Sequence, residues 1–290
     1  MAIHEVRASG LEYLTLATQL LQRARLTDAE AGLWEAADLQ WWWRTPRRSD
    51  SIDHIFWTDD EGPVAGVVLT EWGRAWGCDP IIVPGVSTVT PPTVWARALE
   101  AIDVARLEAV EVLVRDDDVE LQGLLADTGF VADDERSGIT WMNAHDRPGV
   151  AALPEGFVLV DRGRATTSPH PMRRRSGDGV EARLMQCSLY DPGLDLAVEA
   201  ADGTIAGYSL YWFDPVTEVG LVEPMRVEDK YQRRGLARAM LTAGLDRLAK
   251  RGARRLKVGY ATDVARALYV GAGFRVTSTS RSYNLSPIRK

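Results

Sequence analysis

The chain has 290 residues, of which 46% are hydrophobic and 26% are charged, a length that suits one large domain or two of ordinary size. No stretch approaches the roughly 18 unbroken apolar residues of a membrane span. The N-terminus "MAIHEVRASG" has no basic region followed by an apolar stretch. We therefore expect a cytoplasmic protein with neither a secretion signal nor a membrane span.

Charge is divided unevenly along the chain. Residues 1–146 hold 11 basic and 26 acidic side chains, a balance of −15, whereas residues 147–290 hold 23 and 15, a balance of +8. The two halves should therefore meet different partners, or each other. An acidic half of this size argues against a nucleic-acid surface along the whole chain.

Residues that bind metals are sparse. Cys78 and Cys187 are the only cysteines, and they are far apart, while the four histidines never form a pair at helical spacing. We expect two buried, reduced thiols and no metal site.

The first half predicts two helices, a strand pair, a helix, a strand and a final helix. The helices are "EYLTLATQLLQRARL", "DAEAGLWEAADL", "PTVWARALEAIDVA" and "VELQGLLADTGF"; the strand pair is "DSIDHIFWTDDEGPVAGVVLTEWGRAW" and the single strand is "AVEVLVRD".

A domain boundary is predicted at "HDRPGVAALPEGF", where prolines and glycines interrupt the periodic pattern. It separates domains at residues 1–146 and 147–290. A second irregular segment, "GRATTSPHPMRRRSGDG", predicts a mobile or ligand-ordered loop. Its arginines Arg173 to Arg175 are either a solvated surface or a phosphate site.

The second half has the same order of elements, and its hydrophobic pattern is stronger. Strands are predicted at "EGFVLVDR", "LDLAVEA", "IAGYSLYWF", "EVGLVEPMRV", "RRLKVGY" and "FRVTSTSRSYNL"; helices are predicted at "GVEARLMQCSL", from Leu236 to about Lys250, and at "DVARALYVGAG". The repeated order predicts two copies of one unit, with Gly129-Phe130 aligned on Gly273-Phe274.

The copies differ at two places that matter chemically. Where the second copy has "EDKYQRRGLA", the first has "PGVSTVTPP", and Leu125 replaces Tyr269. The segment "YQRRGLARAM" places three arginines around Gly235 at a helix start, where unpaired backbone N–H groups and the helix dipole attract anions. This predicts a site for a phosphate ester, although a solvated surface helix is the alternative.

Two motifs resemble those of the GNAT superfamily of N-acetyltransferases. The first is Q-x-x-G-x-A at Gln232, Gly235 and Ala237, after a strand that ends at Val227. The second is "TDVARALYVGAGF", which is similar to the family's NxxAxxLYxxxGF segment. Thr262 stands where asparagine is usual, and Asp229 where proline commonly follows the strand. The resemblance covers roughly residues 155–285 and, more weakly, residues 1–143.

The resemblance implies an α/β fold of two tandem GNAT-like domains, each a mixed, mostly antiparallel sheet flanked by helices. The first domain is then a degenerate copy without acetyl-coenzyme A, and the second is catalytic. The implied reaction transfers an acetyl group from acetyl-coenzyme A to a primary amine of a small molecule, by direct attack in a ternary complex. The alternative is an acyl-coenzyme A sensor or scaffold without catalysis.

The resemblance also implies a role for each candidate residue. The donor, acetyl-coenzyme A, would contact Val227, Gln232, Arg233, Arg234, Gly235, Leu236, Ala237 and Arg238. Tyr269 matches the family's general acid. The general base is Glu223 or an ordered water, with Asp214 as a second choice that also suits a hairpin turn.

Nine of the ten tryptophans precede residue 147, and three of them are consecutive in "QWWWRTP". In an extended segment three consecutive rings cannot share one face, so at least one should reach a groove or the neighbouring domain. Trp42, Trp212 and Asp214 are candidate acceptor contacts, although interdomain packing is the alternative for the tryptophans. The assembly is expected to be a monomer or a homodimer.

Overall fold

The computed structural model describes residues 2–86, 88–164 and 169–285. It divides the chain into two units: unit 1 contains Met1–Leu39, Pro46–Ser137 and Ser278–Lys290, and unit 2 contains Gln40–Thr45 and Gly138–Thr277. The sequence predicted a single boundary between residues 146 and 147, and this division does not coincide with it. Turn-forming residues mark where the chain is irregular, but the units are defined by strand pairing and packing between distant residues.

Unit 1 is a mostly antiparallel sheet with helices on its faces. Its elements are β1 (His4–Ala8), α1 (Gly10–Thr27), α2 (Ala36–Trp43), β2 (His54–Asp59), β3 (Gly62–Trp72), β4 (Ala75–Ile82), α3 (Pro91–Val104), β5 (Val110–Arg115), α4 (Val119–Asp127) and β6 (Val131–Asn143). Residues 40–43 of α2 and 138–143 of β6 belong to unit 2. Strands pair in the order β1-β2-β3-β4-β5, with only β4 and β5 parallel. Residues 280–285 of the last strand then pair antiparallel with β5.

Unit 2 repeats this plan. Its elements are β7 (Phe157–Asp161), α5 (Arg173–Ser176), α6 (Val180–Leu184), β8 (Asp195–Ala200), β9 (Ile205–Asp214), β10 (Val219–Val227), α7 (Leu236–Arg251), β11 (Arg255–Tyr260), α8 (Asp263–Gly271) and β12 (Arg275–Leu285). Residues 278–285 of β12 belong to unit 1. Strands pair in the order β7-β8-β9-β10-β11, with only β10 and β11 parallel. Residues 138–143 of β6 pair antiparallel with β11.

The structure confirms that the chain contains two copies of one unit. Helices α4 and α8 each have nine residues, and each is capped by the residue before it: Asp118 accepts the N–H of Leu121, and Thr262 accepts the N–H of Ala265. The apolar residues that recur at helical spacing in α7, among them Leu236, Met240 and Leu245, are buried, and Gly252 ends the helix in a left-handed conformation. Each domain is a GNAT-like sheet flanked by helices.

The tryptophan segment has a different structure from the one the sequence suggests. Residues 28–35 contain turns rather than a helix, and α2 extends through Trp43. Trp41, Trp42 and Trp43 are therefore helical, and all three are buried, with 7%, 7% and 5% exposure. Gln40–Thr45 belongs to unit 2, in which the Arg183 guanidinium lies 3.4 Å from the Trp43 ring centroid.

Parts of two strands in unit 1 were not predicted from the sequence. The sequence did not predict β1, and it placed the end of the second strand before most of β4. Residues 165–168 of the predicted loop lie outside the described residues. None of the described helices is long and apolar enough to cross a membrane.

Candidate active site

An opening in the sheet of unit 2 lies between the two parallel strands. Strands β10 and β11 pair only from Val219–Arg255 to Leu221–Lys257. Beyond these residues β10 continues to Val227 along β9, whereas β11 continues to Tyr260 along β6. The two strands therefore follow different neighbours, and a gap opens between their carboxyl ends.

The backbone of Val227 faces this gap. Antiparallel pairs alternate between residues that exchange hydrogen bonds and residues whose N–H and C=O groups point outward. The N–H of Glu228 donates to the carbonyl of Ala206 at 2.9 Å, so the next pair, Val227 and Gly207, is of the outward kind. The N–H and C=O of Val227 consequently point away from β9, on the side of the gap.

A tight loop connects the end of β10 to α7. After a short turn at Asp229–Tyr231, Arg233 and Gly235 both adopt left-handed conformations, with φ of 61° and 81°. Arginine at positive φ is strained, a feature found at ligand-binding turns. No protein atom lies within 4 Å of the place where a Cβ of Gly235 would stand, so the backbone is open to a ligand there.

The start of α7 has the properties of an anion site. It has no side-chain cap and no acidic residue in its first turn, so protein side chains do not satisfy its first N–H groups. Arg233, Arg234 and Arg238 are exposed around it, while Leu236 is buried at 1% exposure and anchors the helix. Three exposed cations and free N–H groups fit the pyrophosphate of a coenzyme.

Gln232 has a structural role in this loop. Its side-chain Nε2 donates to the carbonyl of Val227 at 3.3 Å and to Oδ1 of Asp229 at 3.1 Å. The sequence pattern suggested that this amide binds phosphate, but in the structure it holds the loop against the end of β10. Asp229, in place of the usual proline, supplies one of the two acceptors.

Tyr269 and Glu223 lie close enough to interact. Strand β10 has a bulge between Val222 and Met225, which contains Glu223, and the carbonyl of Glu223 accepts the indole N–H of Trp212 at 2.8 Å. Tyr269 projects from α8 and is 7% exposed. Burial raises the pKa of Tyr269 well above its usual value, and the negative charge of Glu223 adds to the rise.

This pair can serve proton transfer. A phenol with a raised pKa remains protonated at neutral pH and holds a proton that it can donate, whereas a neighbouring carboxylate can accept one. The structure thus places Glu223, one of the alternatives for the base, close to Tyr269, the predicted acid. The bulge in β10 positions Glu223, and helix α8 positions Tyr269.

The three predicted acceptor contacts lie elsewhere or are enclosed. Asp214 pairs with Val219, at the end of β10 away from Val227. Its Oδ1 accepts the N–H of Val216 at 2.9 Å, so Asp214 stabilises the hairpin turn. Trp212 has 0% exposure and Trp42 has 7%. Trp212 acts on the site through its hydrogen bond to Glu223, not as an open wall.

Arg173 and Arg175, two of the three consecutive arginines, form ion pairs at the surface. Nε of Arg173 lies 2.5 Å from Asp178, and Arg175 binds Glu228 at 2.7 Å. These pairs favour the solvated-surface interpretation of Arg173 and Arg175.

Comparison with known proteins agrees with this geometry. Residues 167–274 match the model of the acetyltransferase (GNAT) family, which spans the loop, Glu223 and Tyr269. A mycothiol acetyltransferase of Clavibacter michiganensis is 30% identical over 131 residues. These two matches support an acyltransferase of the GNAT type. That alignment covers 44% of this chain and 42% of the relative, so the chain matches less than half of this curated relative's length.

Solved structures of GNAT proteins share the tandem fold. A tandem GNAT protein from the clavulanic acid biosynthesis pathway covers 98% of both chains with a TM-score of 0.70 and 15% identity. A GCN5-related N-acetyltransferase from Sphaerobacter thermophilus covers 98% of this chain and 95% of its own, with a TM-score of 0.62 and 17% identity. At these identities the likeness concerns the fold.

Proposed function

We propose that the C-terminal domain of this GNAT protein transfers an acetyl group from acetyl-coenzyme A to a primary amine of a small molecule. The observation that carries the proposal is the conjunction of an open, left-handed loop before α7 with the Tyr269–Glu223 pair. Both belong to the unit with the gap between β10 and β11. The mycothiol acetyltransferase relative supports a small-molecule acceptor.

The donor would bind through the backbone. The N–H groups from Gln232 to Ala237 would hold the pyrophosphate, and the arginines around them would screen its charge. The outward N–H of Val227 would donate to the thioester carbonyl and stabilise the negative charge that develops on its oxygen.

The transfer requires two proton movements. The amine nitrogen attacks the thioester carbon and forms the C–N bond, while the C–S bond breaks and its electron pair leaves with sulfur. Glu223, directly or through an ordered water, accepts the proton of the amine. Tyr269 gives its phenolic proton to the leaving thiolate, whose conjugate acid has a pKa near 8.5.

A pair of matched glycines tests the donor site. Gly235 and Gly85 have nearly equal φ angles, 81° and 79°, and a Cβ at either position meets no protein atom within 4 Å. Gly235→Val should weaken acetyl-coenzyme A binding at least about tenfold, the equivalent of about 1.4 kcal/mol, because a side chain enters the anion site. Gly85→Val imposes the same backbone strain in unit 1 and should leave the affinity unchanged in calorimetry.

The reaction is tested on a panel of primary amines. Acetylation that depends on Tyr269 is the expected result. Unchanged affinity of Gly235→Val would contradict the donor site. Tight coenzyme binding without turnover of any amine would instead support the sensor alternative and contradict the catalytic proposal.

A further inference from the structure

Unit 1 contains a cavity of about 250 Å³ at the position where unit 2 has its active-site gap. Strands β4 and β5 pair only at Trp76–Val110 and Gly77–Glu111, and they separate beyond these residues. The cavity lies between their carboxyl ends and is closed by the end of α1, residues 31–34 and the first turns of α3 and α4. Every residue that lines it belongs to unit 1. Cavities of about 150 Å³ already admit a molecule the size of benzene.

Most of the wall is apolar, but it includes one buried carboxyl group. Leu21, Ile81, Ile82 and Val94 are among the apolar side chains of the lining. Asp79 lies in the same wall with 7% exposure, and its Oδ1 accepts the indole N–H of Trp34 at 2.8 Å. A carboxyl group in an apolar wall favours a ligand that can neutralise it.

The cations of the wall are already paired with other carboxylates. Arg25 lies 2.6 Å from Glu35, and both side chains are nearly fully buried, at 3% and 6% exposure. Arg115 lies 2.6 Å from Asp117. Among the residues that the structure describes, Asp79 forms no ion pair, and the neighbouring charges that act on it, Glu111 and Asp38, are negative.

The same features disfavour a phosphorylated ligand. Helix α3 begins with Pro91 and Pro92, which have no N–H group, and Thr90 already caps the helix by accepting the N–H of Thr93. This helix start therefore offers few donors to an anion. The net negative charge near Asp79 would repel a phosphate or a carboxylate.

We propose that unit 1 binds a small organic ammonium compound with a compact apolar body in this cavity, with the carboxylate of Asp79 as its counter-ion. The ammonium group replaces the missing cation beside Asp79, and the hydrocarbon body occupies the apolar part of the wall. The site is separate from the donor site at Gly235. The proposal does not depend on acetyl transfer by unit 2.

Calorimetry with benzylammonium as the probe tests this assignment, with benzyl alcohol and benzoate as uncharged and anionic counterparts. The wild-type chain should bind benzylammonium more tightly than benzyl alcohol, and should not bind benzoate. Asp79→Asn keeps an acceptor for Trp34 and should weaken benzylammonium at least tenfold without changing benzyl alcohol. Asp53→Asn, an exposed carboxyl group of unit 1, is the matched control and should change neither.

A second variant keeps the test decisive if Asp79→Asn does not fold. Ala31 lines the cavity, so Ala31→Trp should fill it and abolish the binding of both benzylammonium and benzyl alcohol. Equal benzylammonium affinity in the wild type and Asp79→Asn would overturn the proposal, as would unchanged binding in Ala31→Trp. Displacement of the probe by acetyl-coenzyme A in Gly235→Val would also overturn it, because the cavity would then be a coenzyme site.

Discussion

The gaps in the two sheets have the same backbone origin and opposite chemistry. In unit 2 the gap is followed by an uncapped helix start, Gly235 at positive φ and exposed arginines. In unit 1 the corresponding helix start is capped by Thr90 and begins with two prolines. The wall there includes Asp79, and its arginines, Arg25 and Arg115, are paired with other carboxylates. On our two proposals, a few residues at a helix start decide whether the same fold attracts an anion or repels one.

The pair Leu125 and Tyr269 shows how packing and chemistry separate at one position. Both side chains are buried, at 0% and 7% exposure, on helices of the same length and at the same distance from their caps. The fold therefore requires an apolar body at this place in either unit. Only unit 2, which contains the Gly235 loop, has a phenol hydroxyl at this position in addition.

Removal of that hydroxyl has the largest expected effect. Tyr269→Phe should lower kcat by about 10² to 10⁴ because the thiolate loses its proton donor, while the affinity for acetyl-coenzyme A stays nearly unchanged. Tyr269→Leu, which copies unit 1, should have the same effect on kcat and retain the fold. Steady-state kinetics with calorimetry measures both, and full activity in Tyr269→Phe would remove Tyr269 from the mechanism.

The packing role is tested in unit 1. Leu125→Ala should destabilise the protein by about 2–5 kcal/mol, because it leaves a cavity in a fully buried cluster. Tyr269→Phe should cost far less stability, since the ring remains against Phe274. Urea denaturation followed by circular dichroism compares the two variants; equal losses would show that the hydroxyl itself supports the fold.

Acid should destabilise unit 1 through His54. Burial lowers the pKa of His54 to about 4, while the unfolded value is about 6.5. The neutral ring therefore contributes stability that is fully present above pH 6.5 and is lost as the pH falls through 4, up to about 3 kcal/mol. Burial raises the pKa of Asp79 to about 7. The contribution of Asp79 to stability therefore falls as the pH rises from 4 to 7, opposite to the contribution of His54.

Denaturation midpoints at several pH values should therefore be measured in an Asp79→Asn background. The stability should fall with the pH there, and His54→Gln should remove most of the fall. If the stability of His54→Gln still falls with the pH as in the parent, other groups cause the loss of stability in acid.

The smallest expected effect concerns the two equivalent helix caps. Thr262→Ala should cost about 1 kcal/mol, and Asp118→Ala should cost a similar amount in unit 1, because each removes the acceptor for an N–H of the first turn. Thermal denaturation measures both. A negligible effect at only one position would mean that the two helices are not capped equivalently.

Local sequence patterns predicted a large part of this molecule. Alternating apolar residues located β8 to β10, helical spacing located α7 and α8, and Gly235 and Gly252 marked the ends of α7. Aligning Gly129-Phe130 on Gly273-Phe274 predicted the repeat. The loop motif and Tyr269 could be found because both lie within short, contiguous segments.

The features that escaped prediction depend on residues far apart in the chain. The segment at residues 147–156 predicted a boundary from its prolines and glycines, but the pairing of residues 280–285 with β5 places the end of the last strand in unit 1. Trp41 to Trp43 have no helical pattern of their own, since α2 is apolar almost throughout. An aspartate between apolar residues in "GCDPII" was the available signal for the cavity of unit 1, and it acquires meaning only beside Trp34.

The sequence by itself determined the repeated order of elements, the anion-attracting helix start at Gly235 and the difference between Tyr269 and Leu125, because each depends on neighbouring residues and their backbone preferences. Only the tertiary structure decided which strands complete each sheet, that Glu223 lies close enough to raise the pKa of Tyr269, and that Asp79 is buried in a cavity wall. These depend on strand register and on burial, which arise from contacts between distant segments and leave no local pattern in the chain.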